Sequence, residues 1–247
     1  WSIGVSLPNA TEREIEKAVD AGHILRTHVM RPTWHLVAAA DLDWIMDLTG
    51  PRLRNVLNAN NKRLGLTEAI FKKSNEILAR ILSNDNQLSR PQIMAELRNN
   101  KIVTDDLRSS HIMFMAEIDK VVCSGARKGK ENTYALYAER VPQSRVSGRD
   151  EAVAALFKRY MVSHGPATLQ DFAWWSGLTL TDAKAGLAMN RAGFEEIKSG
   201  EHSWWYVGEA CRNATSFNAV HLLPAFDEFM VSYKNRSASL PDGHFSK

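Results

Sequence analysis

Apolar positions recur every three or four residues along much of the chain, as expected for helices with one buried face. In TEREIEKAVDAG, Thr11 and Glu14 form a capping signature, Ile15, Ala18 and Val19 share a face, and Gly22 ends the helix. The pattern then changes. ILRTHVMRPTWHLV, from Ile24 to Val37, is dense in β-branched and aromatic residues and broken by Pro32, which predicts two short strands with a bend at Arg31–Pro32. Helical spacing returns with Leu42, Ile45, Met46 and Leu48, over Asp41 to Leu48.

A longer version of this order follows. Thr67 to about Ser83 reads as a helix carrying Ile70, Ile77, Leu78 and Ile81. After a polar loop, Ser89 caps the short helix RPQIMAELRNN, with Pro at its start. A third helix, roughly Asp105 to Ile118, leads into VVCSGARKGKENTYALY (121–137), read as a hairpin with a Gly-rich basic turn. From Asp150 the order recurs: EAVAALFKRYMVSH, then LQDFAWWSG capped by Thr168, then a helix opened by Thr179 or Thr181 and running to about Arg191. FEEIKSGEHSWWYV (194–207) is a second hairpin, turning at Ser199–Gly200. Helix, short helix, helix, hairpin thus occurs twice, with a looser version first.

Three helices and a hairpin make the winged variant of the helix-turn-helix, whose third helix can enter a major groove while the hairpin meets neighbouring backbone. The expected class is mainly α with small β-hairpins, an α+β fold of tandem winged-helix repeats. The units expected are 1–66, 67–145 with a basic wing, 146–210, and the start of a C-terminal segment at 211–247. Trp1 in place of a Met, and Lys247 just after a Pro-Asp-Gly turn, read as cut ends, so a fragment is expected.

Composition narrows the function. At 247 residues, 44% hydrophobic and 24% charged, the chain resembles an ordinary globular protein. A net charge of +3, from 31 basic and 28 acidic residues, requires any nucleic-acid surface to come from local clustering. Cys123 and Cys211 lie in no CxxC or Cys/His pattern, so neither a disulfide framework nor a zinc site is expected; no metal and no cofactor are. No apolar stretch approaches membrane length and no leader pattern opens the chain, so a cytoplasmic protein off the membrane is expected.

Local clusters supply the candidate chemistry. Arg127, Lys128 and Lys130 fall on the Gly-flanked turn of the 121–137 hairpin and are expected to hang free, able to meet phosphates. The tip at Lys198 to Glu201 is mixed in charge and is not expected to do so. The run Arg26, Thr27, His28, Arg31, Thr33, His35 suggests a second surface. In an extended strand Arg31, Thr33 and His35 would share one polar face, opposite Trp34 and Leu36, suited to a nucleic-acid backbone or an extrahelical base. A half-exposed strand with a hydrogen-bonded His is the plainer alternative. Trp174, Trp175, Trp204, Trp205 and Tyr206 are expected in cores, and the adjacent Asp227 and Glu228 are expected to be structural.

Three stretches carry a resemblance: RTHVMRPTWHLVAAADLDWIMDLTGPR (26–52), HGPATLQDFAWWSGL (164–178) and HLLPAFDEFMVSYKNRS (221–237). Together, and in register, they resemble the AlkZ-like bacterial DNA glycosylases. The resemblance implies tandem winged helices on double-stranded DNA and excision of alkylated or crosslinked bases by hydrolysis of the N-glycosidic bond; a monomer, associated with the nucleoid when bound to DNA, is expected. It places Arg31, Thr33 and His35 near the active-site cleft, with Thr33 and His35 as catalytic candidates. The family's Gln-x-Gln or Gln-x-Asp pair precedes a Trp that matches Trp1, so it would lie upstream. The rival readings are a regulator reading an operator and a module binding only proteins.

Overall fold

The computed structural model describes residues 7, 9–146, 148–208, 222–223 and 226–236, and the chain divides into two compact units, Ala10–Arg145 and one built mainly from Val146 onward. Trp1 and Cys211 lie outside the described residues.

In the Ala10–Arg145 unit, the Thr11–Glu14 capping box opens α1 (Glu12–Asp20). Strands β1 (Ile24–His28) and β2 (Trp34–Ala38) then pair antiparallel, with Thr27 opposite His35 and His28 opposite Trp34. Their connection passes through Met30 at φ 62°, whose N–H donates to Thr49 Oγ1 at 3.2 Å. That hydroxyl in turn donates to the Ile45 carbonyl at 2.8 Å, tying the turn to the next helix. This helix, α2 (Ala39–Arg63), runs well past the expected end at Leu48. Gly50–Pro51 is locally a stop, but Leu53 and Leu57 beyond it pack into the core with Phe71, Leu78, Ile93 and Leu97. Burial of that far half overrides the local break.

The winged order follows as α3 (Glu68–Leu82), β3 (Leu88–Ser89), α4 (Arg90–Asn99), α5 (Arg108–Ile118), β4 (Val122–Ser124), β5 (Thr133–Leu136) and the short α6 (Tyr137–Arg140). Strand β3, which the sequence pattern leaves as loop, joins the hairpin in an antiparallel sheet ordered β3-β5-β4. Helix α5 starts at Arg108 rather than Asp105, and every residue from Ile112 to Ile118 is buried.

In the other unit, α7 (Arg149–His164), α8 (Leu169–Ser176) and α9 (Leu180–Asn190) precede β6 (Glu195–Ser199) and β7 (His202–Tyr206). A single bridge between Ala167 and Trp205 stands where β3 stands in the first copy. Phe157 packs edge-on against Phe172 and Phe194, with ring centroids 5.0 and 5.8 Å away. Helices α7 and α9 meet at Gly186, where a Cβ would fall 2.7 Å from the Phe157 Cβ, so a side chain there would force them apart. The hairpin turns at Gly200–Glu201, one residue later than expected.

Trp205 is buried as expected, whereas Trp174 is 48% exposed. Both indoles of α8 hold the segment at 226–236: Trp174 Nε1 donates to the Val231 carbonyl at 3.1 Å and Trp175 Nε1 to Glu228. Asp227 caps α10 (Glu228–Val231) by accepting from the Phe229 N–H at 3.0 Å. Adjacent carboxylates therefore serve separate structural bonds. The fold is α+β, mainly helical with small antiparallel sheets, and the winged order occurs twice.

Candidate nucleic-acid interface

The wing between β4 and β5 is built on hydrogen bonds at its base. Gly125 N–H donates to the Thr133 carbonyl at 2.9 Å and Ala126 N–H to Gln87 Oε1 at 2.6 Å. Lys128 and Glu131 exchange backbone bonds of 3.0 and 3.1 Å, which puts Gly129, at φ 64°, and Lys130 at the tip. The expectation that three cations hang free is corrected here. Arg127 is drawn back to α1: its N–H meets Asp20 Oδ1 at 2.9 Å and its Nη1 meets Glu16 Oε1 at 2.7 Å. That hydrogen bond holds the Glu16 carboxyl below its ordinary range. Lys128 Nζ donates to the Gln87 carbonyl at 2.6 Å, while Lys130 is exposed. Glu16 and Asp20 share a helix face four residues apart, yet nothing in the local spacing shows that this face reaches the wing.

The polar row at Arg31, Thr33 and His35 is also corrected in its geometry. Arg31 and Thr33 lie on the connection before β2 begins, so the three do not line one strand face. Bonds from Arg31 N–H to the Val29 carbonyl (2.6 Å) and from Thr33 N–H to the Arg31 carbonyl (2.7 Å) use these residues as a turn. His35 does lie in β2, on the inward side with buried Val37, and its Nδ1 sits 2.9 Å from the Thr33 carbonyl. An N–H on Nδ1 fits that contact and fixes the ring. The outward face carries Trp34 and Leu36, 41% and 48% exposed. The strand therefore shows solvent its apolar side, flanked by Arg26.

Beneath that face lies a constellation the sequence reading did not assemble. Glu117 of α5 is 1% exposed, and its Oε2 accepts from Thr27 Oγ1, from the His28 N–H and from the His28 ring at Nδ1, all at 2.9 Å. Three donors offset the cost of burying a carboxylate. The His28 ring stacks on Phe114 at 4.0 Å and packs at 3.9 Å against Trp34, over which the Arg26 guanidinium sits at 4.1 Å. Cation, indole and imidazole thus rest on one buried acid. Nearby, burial and the Glu117 charge push the Tyr134 hydroxyl above its ordinary pKa. The available signal was Glu117 itself, a lone carboxylate inside the apolar run IMFMAEI.

Arg26 N–H donates to Ser124 Oγ of β4 at 2.9 Å, so the β1–β2 hairpin and the wing adjoin within one unit. The two expected surfaces are brought together, although several of the expected side chains are not their exposed members. Cys123, between them, is buried and its thiol is pushed up to about 12 by burial, which makes it a poor nucleophile. Among the described residues no helix is long and apolar enough to cross a membrane.

Comparison with known proteins extends this geometry. No curated protein matches the sequence. Among solved structures, Streptomyces sahachiroi DNA glycosylase AlkZ is similar at 18% identity, with a TM-score of 0.71 over 97% of this chain and 69% of that one. At that identity the likeness speaks for the fold. The family model DNA glycosylase AlkZ-like matches residues 2–247, nearly the whole chain. The family match favours a DNA-acting glycosylase over an operator-reading regulator, which would share the same winged-helix order. The chain belongs to the DNA glycosylase AlkZ-like family.

Proposed function

We propose that this chain holds double-stranded DNA, as a monomer in the bacterial cytoplasm, so that an alkylated or crosslinked base can be removed by monofunctional hydrolysis of its N-glycosidic bond. The observation that carries this reading is the pairing of an exposed wing tip, Lys130, with an exposed indole, Trp34, under the half-buried Arg26 guanidinium, the two adjoining through Ser124. Lysine at a wing tip suits a backbone phosphate, and a guanidinium on an indole suits the backbone or a displaced base. Arg31 and Thr33 extend this surface along the turn, while Arg127 and Lys128 shape the wing base. His28 and Glu117 position the hairpin from below.

The chemistry asked of the protein is modest. An alkylated purine is already cationic and leaves readily, so catalysis consists of holding a water and a sugar of oxocarbenium character in place. Thr33 and His35, held together by the Nδ1 contact, are the described candidates for that work.

Release of free base from a methylated duplex tests the reading. The protein is expected to release 7-methylguanine and leave an abasic site, with weak sequence preference on undamaged duplex. Tight, sequence-selective binding to undamaged duplex without base release would replace this reading with the regulator. For His35→Ala, excision should be lost while the thermal midpoint is kept; normal excision would make the histidine structural.

A further inference from the structure

The unit from Val146 onward contains a cavity of about 360 Å³ whose lining includes Gln170, Asp171, His202, Lys234, Asn235 and Arg236, two cations against one carboxylate. Its one carboxylate is fully engaged. Asp171 is 0% exposed; its Oδ2 accepts from the Thr168 N–H and hydroxyl at 2.9 and 2.7 Å, and its Oδ1 accepts from the N–H groups of Lys234 and Asn235 at 2.8 and 3.0 Å. These bonds pin the backbone of residues 234–235 against the start of α8, so the side chains of Lys234 and Arg236 issue from a fixed stretch of chain. Neither forms an ion pair among the described residues, and the Arg236 Nε is buried without a hydrogen-bond partner.

We infer that this cavity is an anion site for a phosphate group of the DNA backbone, held by Lys234 and Arg236 with the Gln170 amide as a further donor. A guanidinium and an ammonium on a pre-fixed backbone lose little freedom when they close on a phosphate. The volume also admits the attached sugar, which suits a backbone phosphodiester better than a free ion. The inference rests on the duplex-binding reading above and adds a contact in the other unit.

The test compares the salt dependence of duplex binding for the wild-type chain, Lys234→Ala/Arg236→Ala and Lys234→Glu, with inorganic phosphate titrated separately against wild type by ³¹P line broadening. Loss of one phosphate contact should lower the slope of log K against log salt by about 0.9 and weaken binding roughly eightfold at 0.1 M salt. Lys234 is exposed, so the charge reversal keeps the fold and should weaken binding further. Wild type that binds duplex while both variants match it in slope and affinity overturns the pocket alone. Tight binding of inorganic phosphate together with unaffected duplex binding makes it a free-phosphate site and overturns the backbone assignment. Wild type that binds no duplex at low salt overturns the DNA reading itself.

Discussion

The two winged helices share an order of elements and use it differently. In the first copy the sheet has three strands, β4 and β5 are largely buried, and the wing they carry is braced by Gln87 and by α1, leaving Lys130 at its tip. In the second, β6 is exposed along its whole length and the third strand shrinks to the Ala167–Trp205 bridge. The start of the second helix differs in the opposite sense. The Gln92 side chain of α4 accepts from the N–H of its own cap, Ser89, at 2.9 Å, whereas that of Asp171 in α8 caps its helix and holds Lys234 and Asn235 as well. One copy invests its specific bonds in the wing, the other in the helix start. What a module offers to a ligand is thus set by which of its ends is braced.

The largest effect should come from cutting that second brace. Asp171→Asn replaces one buried acceptor oxygen with a donor that faces two other donors, so about 3 kcal/mol of stability should be lost. Gln92→Ala in the first copy removes an ordinary capping bond and should cost about 1 kcal/mol. Urea unfolding of both variants measures the contrast. Equal losses would mean that the two caps are equivalent and that the 234–235 segment is held by other contacts.

Within the first copy, Glu117→Gln should cost about 2 kcal/mol, because the amide can still accept one or two of the three bonds that Oε2 now receives. The loss should be local to the hairpin. Amide exchange at Thr27 and His28 should accelerate more than at Ile93 and Leu97 in the core. Uniform acceleration would show that Glu117 supports the core rather than the surface carrying Trp34.

These bonds also mark how far the sequence could be read. Caps are local, and Thr11, Thr67, Thr168 and Thr179 open helices as their spacing predicts. Hairpins were legible for the same reason. The course of α2 through Pro51 was not, because the burial that sustains it comes from α3 and α4. Nor was the inward face of β2: strand alternation gives two faces, and which one turns inward depends on the rest of the unit packed beneath it. Arg127 and Glu16 are far apart in the chain, so their ion pair is visible only once α1 is folded against the wing. The candidate site was legible as a region around 26–35 and 127–130, and illegible in its membership.

The wings themselves can be compared by their salt dependence. Lys130→Ala should lower the slope of duplex binding by about 0.9, and Lys198→Ala, from the strand beside the mixed-charge tip, should leave it unchanged. Arg127→Ala should also leave the slope nearly intact while costing up to about 1 kcal/mol of stability, since its guanidinium is already paired with Glu16. A slope that falls for Arg127→Ala and not for Lys130→Ala would move the contact from the tip to the wing base.

The smallest difference concerns pH. Burial lowers the pKa of His164 at the end of α7, with the Glu228 charge opposing it, and lowers that of His111 in α5, with the Arg63 charge reinforcing it. Each histidine is therefore neutral in the folded protein at a pH where the unfolded chain has begun to protonate, starting near the ordinary value of 6.5. The unfolded state binds more protons there, so stability is held above that pH and falls as the pH drops toward the lower folded value. Replacing His164 with Gln should flatten the decline for the unit from Val146 onward, and replacing His111 with Gln should flatten it for Ala10–Arg145. Unfolding midpoints measured between pH 7 and pH 5 separate the two. Glu228 partly restores the charged form beside His164, so Glu228→Gln should steepen the decline for the unit from Val146 onward. An unchanged decline would mean that the carboxylate does not reach the imidazole in solution.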